Sequence, residues 1–408
     1  VADAAGSGEF TLVPSDTLAI AGAGFLPTMA AARDRIAAVN PIAYGRTRNA
    51  LNGAVSRLSP YITHGFVTLS DVMSGVAARH SLAREDKFVF ELGWRAYYRH
   101  VWQHRGDGIF SSLHEGLLPE HAYSSELPAD IRTATSGVPV VDQAVRTLYA
   151  TGYVHNHARM WLASYVVHIR KVHWRVAADW MYGHLLDGDL ASNHLSWQWV
   201  AGTGSVKPYL FNAENVARYA PAPWHSPGTV IDTSYEALDR IARDHAPRMG
   251  PRRPAQHAEA VSEPPLLAQP SDQPGLCAPH GDLVAGRDVW LVHPWSLGEL
   301  PATLPTDTLV IGLLVSDFHR TWPWSAHRWA FVGARMAELT TEVWSADAAH
   351  IGAALASARS VRSLDEPHLE PWLARFARCE PAAALFPPVE QRCDSFSKWW
   401  TRVSRRAN

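Results

Sequence analysis

Cysteine is scarce in this chain. The three present, Cys277, Cys379 and Cys393, are too widely spaced to read as a disulfide framework, and three thiolates cannot complete a four-cysteine iron–sulfur site. An excess of one charge is also missing. With 37 Lys and Arg against 39 Asp and Glu the formal net charge is −2, so any nucleic-acid surface has to be a local patch. Nor is there an apolar run of bilayer-spanning length, or a basic segment followed by an apolar one of the signal-peptide kind. These absences lead us to expect a reducing, cytoplasmic setting, no membrane contact and no metal site. The opening VADAAGSGEF lacks a starting methionine, and 1–24 is read as a flexible tail.

Apolar residues, in contrast, make up 47% of the chain, ample for two cores at this length. Their three and four spacing predicts helices over 25–39, 71–79, 86–104, 140–151, 155–172 and 175–186, with little strand-like alternation before 285. Between 246 and 286 the periodicity gives way to PRRPAQHAEAVSEPPLLAQPSDQPG, a linker composition. Beyond it DVWLVHP (288–294), TLVIGLLV (308–315) and TEVWSA (341–346) read as strands, with helices over 325–339 and 348–358. Such alternation predicts a parallel sheet covered on both faces. The expected organisation is an all-α domain over 25–245, a Pro/Ala-rich linker over 246–286 and a smaller Rossmann-like α/β domain over 287–408.

The densest chemistry lies in DGDLASNHLSWQWVAGTGSVKPY, 187–209. Asp187, Asp189 and Asn193 offer carboxylate and amide groups, and Trp197 and Trp199 offer oxidisable rings, a combination suited to the polar edge of a flavin and to electron supply. The same residues also read as a helix capped by its acids with tryptophans packed in a core. Upstream, Glu91, Trp94 and Arg95 share one helix face, and Asn156, Arg159 and Met160 repeat that geometry on another. Ser56, Arg57, Leu58 and Ser59 form a turn into a helix whose hydroxyls and N–H groups suit a pyrophosphate. A plain N-cap at Ser59 is the competing reading.

In order along the chain, SRLSPYITHG (56–65), ELGWRAYYRH (91–100), TGYVHNHARMWLAS (151–164) and the 187–209 block resemble the flavin-binding domain of the DNA photolyase and cryptochrome family. The resemblance runs from about 42 to 220 and implies an all-α, FAD-binding domain of photolyase type. The implied cofactor residues are Tyr44, Ser56, Arg57, Leu58, Ser59, Arg95, Arg159, Asp187, Asp189 and Asn193. Among these, Arg159 and Asp187 would pair near the redox edge, and Asn193 would face flavin N5, where an amide can donate or accept. Trp197 and Trp174 would be the inner and middle members of an electron-transfer chain, and an ungapped count puts Tyr123 at its outer place.

For the substrate, the resemblance implies that Glu91 bonds a cyclobutane pyrimidine dimer flipped out of DNA and that Trp94 and Trp199 form an aromatic wedge. Asn156 and Met160 would line the other side, and Arg48 would sit at a basic position beside the lesion. Several positions depart from the family pattern. His157 stands for an arginine and keeps its charge only when protonated, Tyr153 stands for a tryptophan and Val55 for a threonine. His194, Leu195 and Ser196 are bulkier than usual and would narrow access to the ring. In the family an α/β antenna-type domain comes first; here an α/β segment follows, either as a circular permutation or as an unrelated fusion. Any antenna chromophore is left open.

The implied activity is that of a deoxyribodipyrimidine photolyase-like lyase, a light-driven, monomeric DNA-repair enzyme acting on damaged DNA with reduced FAD. The alternatives are a cryptochrome-like blue-light photoreceptor with a protein partner, a (6-4) photoproduct enzyme, and a flavin module without photochemistry. The (6-4) pattern of paired histidines is not reproduced, since Met160 occupies the second place.

Overall fold

The computed structural model describes residues 24–248 and 259–406, so the expected tail up to residue 23 and residues 249–258 of the expected linker lie outside the described residues. Helices form close to where the periodicity places them, and their ends follow capping chemistry. The first begins at Met29 rather than at 25, because Thr28 is extended and its hydroxyl accepts from the Ala31 N–H. Thr68 and Asp71 make a reciprocal capping box ahead of the Leu69–Ala77 helix. The helix Pro139–Thr151 stops at Gly152, whose φ of 65° suits glycine. The Gly152 carbonyl then accepts from the Leu186 N–H at 2.7 Å, which holds the start of the 187–209 block against this turn.

One helix expected over 155–172 is interrupted. It runs over Asn156–Ser164 and widens into a π turn over Tyr165–Ile169. Chain reversal follows at Lys171, which takes φ 55°. Its buried ammonium donates to the carbonyls of His168, Ile241 and Ala242 at 2.7–2.8 Å, binding this corner to the helix Tyr235–Arg243. Burial lowers that ammonium to a pKa of about 8.

The C-terminal part is a six-stranded parallel sheet built from β2 (Leu276–Cys277), β3 (Asp288–Val292), β4 (Leu309–Val315), β6 (Val343–Ala346), β7 (Ser360–Leu364) and β8 (Arg378–Glu380). Its order is β2-β6-β4-β3-β7-β8. From β6 to β8 this is the doubly wound 3-2-1-4-5 arrangement, with β2 added at the edge. β2 and the antiparallel pair of β1 (Leu266–Leu267) with β5 (Trp324–Ser325) start inside the stretch expected to be linker, which corrects that boundary. β7 and β8 were not foreseen either, since SVRSL and RCE are short and partly polar.

Two parallel neighbours diverge in topology at β3 and β7, where such sheets open a crevice at their carboxyl ends. Here the protein fills it. Trp295 stacks on His368 at 4.5 Å and 12°, and Trp102 of the helix Lys87–Arg105 meets His368 edge-on at 4.9 Å. Arg99 of the same helix bonds Asp189 at 2.7 Å and Glu366 at 2.8 Å, joining the helical part to the loop after β7. His64 adds a second tie, its ring nitrogens lying 2.6 Å from Pro294 O and 2.9 Å from Leu186 O.

Burial alone would raise the Glu366 carboxyl, but Arg99 and His368 outweigh it and hold it at about 2. Since a free-chain glutamate titrates near ~4.3, this contribution to stability is whole above that value and is lost as pH falls through about 2. The gap in unfolding free energy between the protein and Glu366→Gln is therefore expected to be constant near neutrality and to shrink on acidification. Arg99→Ala, which strands two buried carboxylates, should cost ~3–5 kcal/mol in denaturant titration. A pH-independent gap, or a loss under ~1 kcal/mol as at an exposed ion pair, would refute the clamp.

Candidate functional site

The helices Lys87–Arg105, Asn156–Ser164, Trp174–His184 and Leu190–Ala201 surround a cavity of about 240 Å³. Helical periodicity delivers Glu91, Trp94 and Arg95 to its wall from the first of these, and Asn156, Arg159 and Met160 from the second. Asp187, Asn193 and Trp197 come from the block beginning at 187, and Ser59 closes one corner. Tyr98, Tyr153, Met181, Leu185, Ser192 and Ser196 also line it. Of these only Tyr153 and Ser196 drew notice in the sequence. Tyr98 lies one turn beyond Trp94 on the same helix, so its spacing was the available signal.

Arg159 is fixed on both sides. Its Nη2 lies 2.9 and 2.8 Å from the two Asp187 oxygens and its Nε donates to Val154 O at 2.7 Å. The two groups form an ion pair, with Asp187 buried and Arg159 partly open to the cavity. Asn193 Nδ2 donates one of its two hydrogens to Ala178 O at 2.9 Å, which leaves the amide a second N–H and its Oδ1 to offer the cavity. Glu91 lies with its Oε1 3.4 Å from Arg48 Nε. Burial raises its carboxyl above the usual range against the opposing pull of Arg48. Burial also raises the Tyr98 phenol to about 12, against a hydrogen bond with Ser196. Trp94 is held flat against Phe396, 4.2 Å away at 10°, and Gly93 admits Trp400, because a Cβ there would come within 2.4 Å of that ring. Both aromatic partners belong to the C-terminal helix Phe396–Arg406, which the sequence analysis did not anticipate.

Other expected site residues stand elsewhere. Asp189 is an N-cap, accepting from Ser192 N at 2.8 Å, and its other oxygen faces Arg99; it is absent from the cavity wall. Tyr44 packs edge-on against Phe88 at 5.5 Å, and Leu58 is a core residue at the N-cap of Ser59–Thr63, leaving Ser59 alone of the predicted turn on the wall. Ser56 and Arg57 do not reach the cavity, although Arg57 takes φ 51° at the bend. His157 is turned away, its Nδ1 2.7 Å from Asn49 O and its Nε2 3.1 Å from the Tyr209 hydroxyl, and burial lowers its pKa, so the hoped-for charge is not kept. Trp199 pairs with Tyr209 at 5.8 Å and is not on the wall with Trp94, so the wedge has one member. His194 points to Asp179 at 2.8 Å and does not narrow the cavity. Trp174 and Tyr123 share the wall of a second cavity, with the His173 ring between them at 5.7 and 6.3 Å.

Part of the chain is similar in sequence to a known domain. Residues 88–222 match the FAD binding domain of DNA photolyase. The chain is 36% identical over 152 residues to the deoxyribodipyrimidine photo-lyase of Streptomyces griseus, covering 37% of this chain and 33% of that protein. It is 32% identical over 221 residues to the chloroplastic/mitochondrial cryptochrome DASH of Ostreococcus tauri, covering 51% of this chain and 39% of that one. The solved cryptochrome of Synechocystis sp. PCC6803 overlaps 54% of this chain and 52% of its own at 22% identity, with a TM-score of 0.43. The chain thus spans about a third of the length of the curated relatives it matches.

The residues present fit the ring end of FAD. An amide at Asn193, a fixed guanidinium–carboxylate pair and an indole wall surround one space, with Ser59 and Arg95 on the same wall. The photolyase-type cavity therefore predicts that Asp187→Asn, which breaks the pair with Arg159, lowers flavin retained per chain by ~10-fold on gel filtration. His157→Ala, which leaves the wall untouched, should retain flavin and instead lose ~1–3 kcal/mol of stability. Equal flavin loss in both variants would contradict this assignment.

Proposed function

We propose that the chain splits cyclobutane pyrimidine dimers in DNA under light. The observation that carries this reading is the meeting of Glu91, Trp94, Asn156 and Met160 with Asn193 and the Arg159–Asp187 pair on one cavity wall. FAD, when bound in reduced form, supplies the photoexcited electron. The protein's own contribution is placement. Trp94, its plane set by Phe396, stacks on the extruded pyrimidines, while Asn156 and Met160 bound the slot. Glu91, its carboxyl raised by burial against Arg48, would hydrogen-bond a dimer carbonyl where negative charge develops, with no net transfer of a proton or an electron once the ring has split. Asn193 would meet the N5 side of the bound flavin with an amide able to donate or accept, and Arg159 with Asp187 would orient that edge. Trp197 and Trp174 relay electrons from the surface, with Tyr123 outermost.

A cryptochrome-like photoreceptor is the second reading. It is favoured by the neutral, buried His157 and by Trp199 lying on Tyr209, which leave the lesion side with less charge and half the expected wedge. The two separate in a light-dependent repair assay on a dimer-containing oligonucleotide. Repair is expected, with Glu91→Ala slowing it by ~100-fold and Glu91→Gln, which still donates, recovering part. Phe396→Ala should loosen Trp94 and raise KM for the lesion while flavin content stays unchanged. Photoreduction of flavin with no repair would transfer the assignment to the photoreceptor.

A further inference from the structure

At the sheet edge β2 lies beside β6, in register Cys277↔Trp344. His280 follows three residues after Cys277, and Glu342 immediately precedes β6. Their side chains converge. Glu342 Oε2 lies 3.7 Å from Cys277 Sγ and 3.1 Å from His280 Nε2, and all three ligand atoms fall within 4.8 Å of one another. From this we infer a zinc site formed by Cys277, His280 and Glu342, in a part of the molecule remote from the flavin cavity and independent of its function.

Distances and chemistry agree. Tetrahedral zinc with Zn–S near ~2.3 Å and Zn–N or Zn–O near ~2.0–2.1 Å places its ligands roughly 3.3–3.6 Å apart, close to the two separations seen. Thiolate, imidazole and carboxylate together suit a borderline-soft divalent ion. Glu342 is also oriented from behind, its Oε2 accepting from Trp344 Nε1 at 3.0 Å, the outer-shell arrangement that fixes a ligating carboxylate. Three protein ligands leave one position open on the side of the exposed His280, for water. The ion would staple the two-residue strand β2 to β6, an edge that otherwise has little pairing. Binding takes one proton from the Cys277 thiol, whose pKa burial and Glu342 push up, while His280 binds as neutral imidazole and Glu342 as carboxylate.

The full chain, stripped with a chelator and then titrated with Zn2+, is expected to retain one zinc per chain by elemental analysis and to release about one proton on binding near neutrality. Cys277→Ser and His280→Ala should each weaken binding by more than the ~10–100-fold typical of an outer-shell change. If either variant fails to fold, Co2+ loaded into the unsubstituted chain decides. A thiolate-to-cobalt charge-transfer band in the difference spectrum supports the site, and its absence overturns it. Zinc retained equally by the chain and by Cys277→Ser, or not retained at all, overturns it as well.

Discussion

The guanidinium of Arg99 lies between two buried carboxylates that come from distant parts of the chain. Asp189 caps the helix carrying Asn193 and Trp197, and Glu366 follows β7 of the sheet. Desolvating three charges is costly, and removing any one leaves an unbalanced remainder, so the two carboxylates stay ionised and the two halves stay in one relation. The depressed carboxyl of Glu366 is the electrostatic signature of that balance. With Asp189 committed to the clamp, the helix after it starts at a set angle and brings Asn193 to the cavity wall.

This arrangement uses the sheet in a way that differs from an α/β domain binding its own ligand. The crevice at the carboxyl ends of β3 and β7 is occupied by Trp295 and His368, gripped from outside by Trp102 and Arg99. The sheet therefore serves as a buttress for the helix Lys87–Arg105. The C-terminal helix buttresses the same helix from another side through Phe396 and Trp400. One helix thus carries Glu91 and Trp94 on the cavity wall and receives support from both C-terminal elements. That concentration gives the wall its rigidity, which placement-based chemistry requires.

Within the cavity, two of the polar groups are constrained by a bond to a backbone carbonyl. Arg159 is held by Val154 O as well as Asp187, and Asn193 by Ala178 O. That bond fixes the plane of the Asn193 amide from the neighbouring helix Trp174–His184 and leaves a second N–H and the amide oxygen able to donate or accept.

The sequence by itself determined the elements and the residues at three and four spacing along them. Glu91 with Trp94, and Asn156 with Arg159 and Met160, had to share a helix face whatever the fold, and the strand runs 288–292 and 309–315 had to be buried in a sheet. Those local facts were enough to place one wall of the cavity. Only the tertiary structure decided which polar groups face that cavity and which are consumed in support. Asp187 and Asp189 are two residues apart and chemically alike, yet one pairs with Arg159 on the wall and the other with Arg99 behind it. His157 and Asn156 are adjacent, yet one bonds Asn49 O and the other lines the cavity. The reason is that spacing fixes direction around a helix axis, whereas the partner met in that direction comes from residues 28 to 267 positions away.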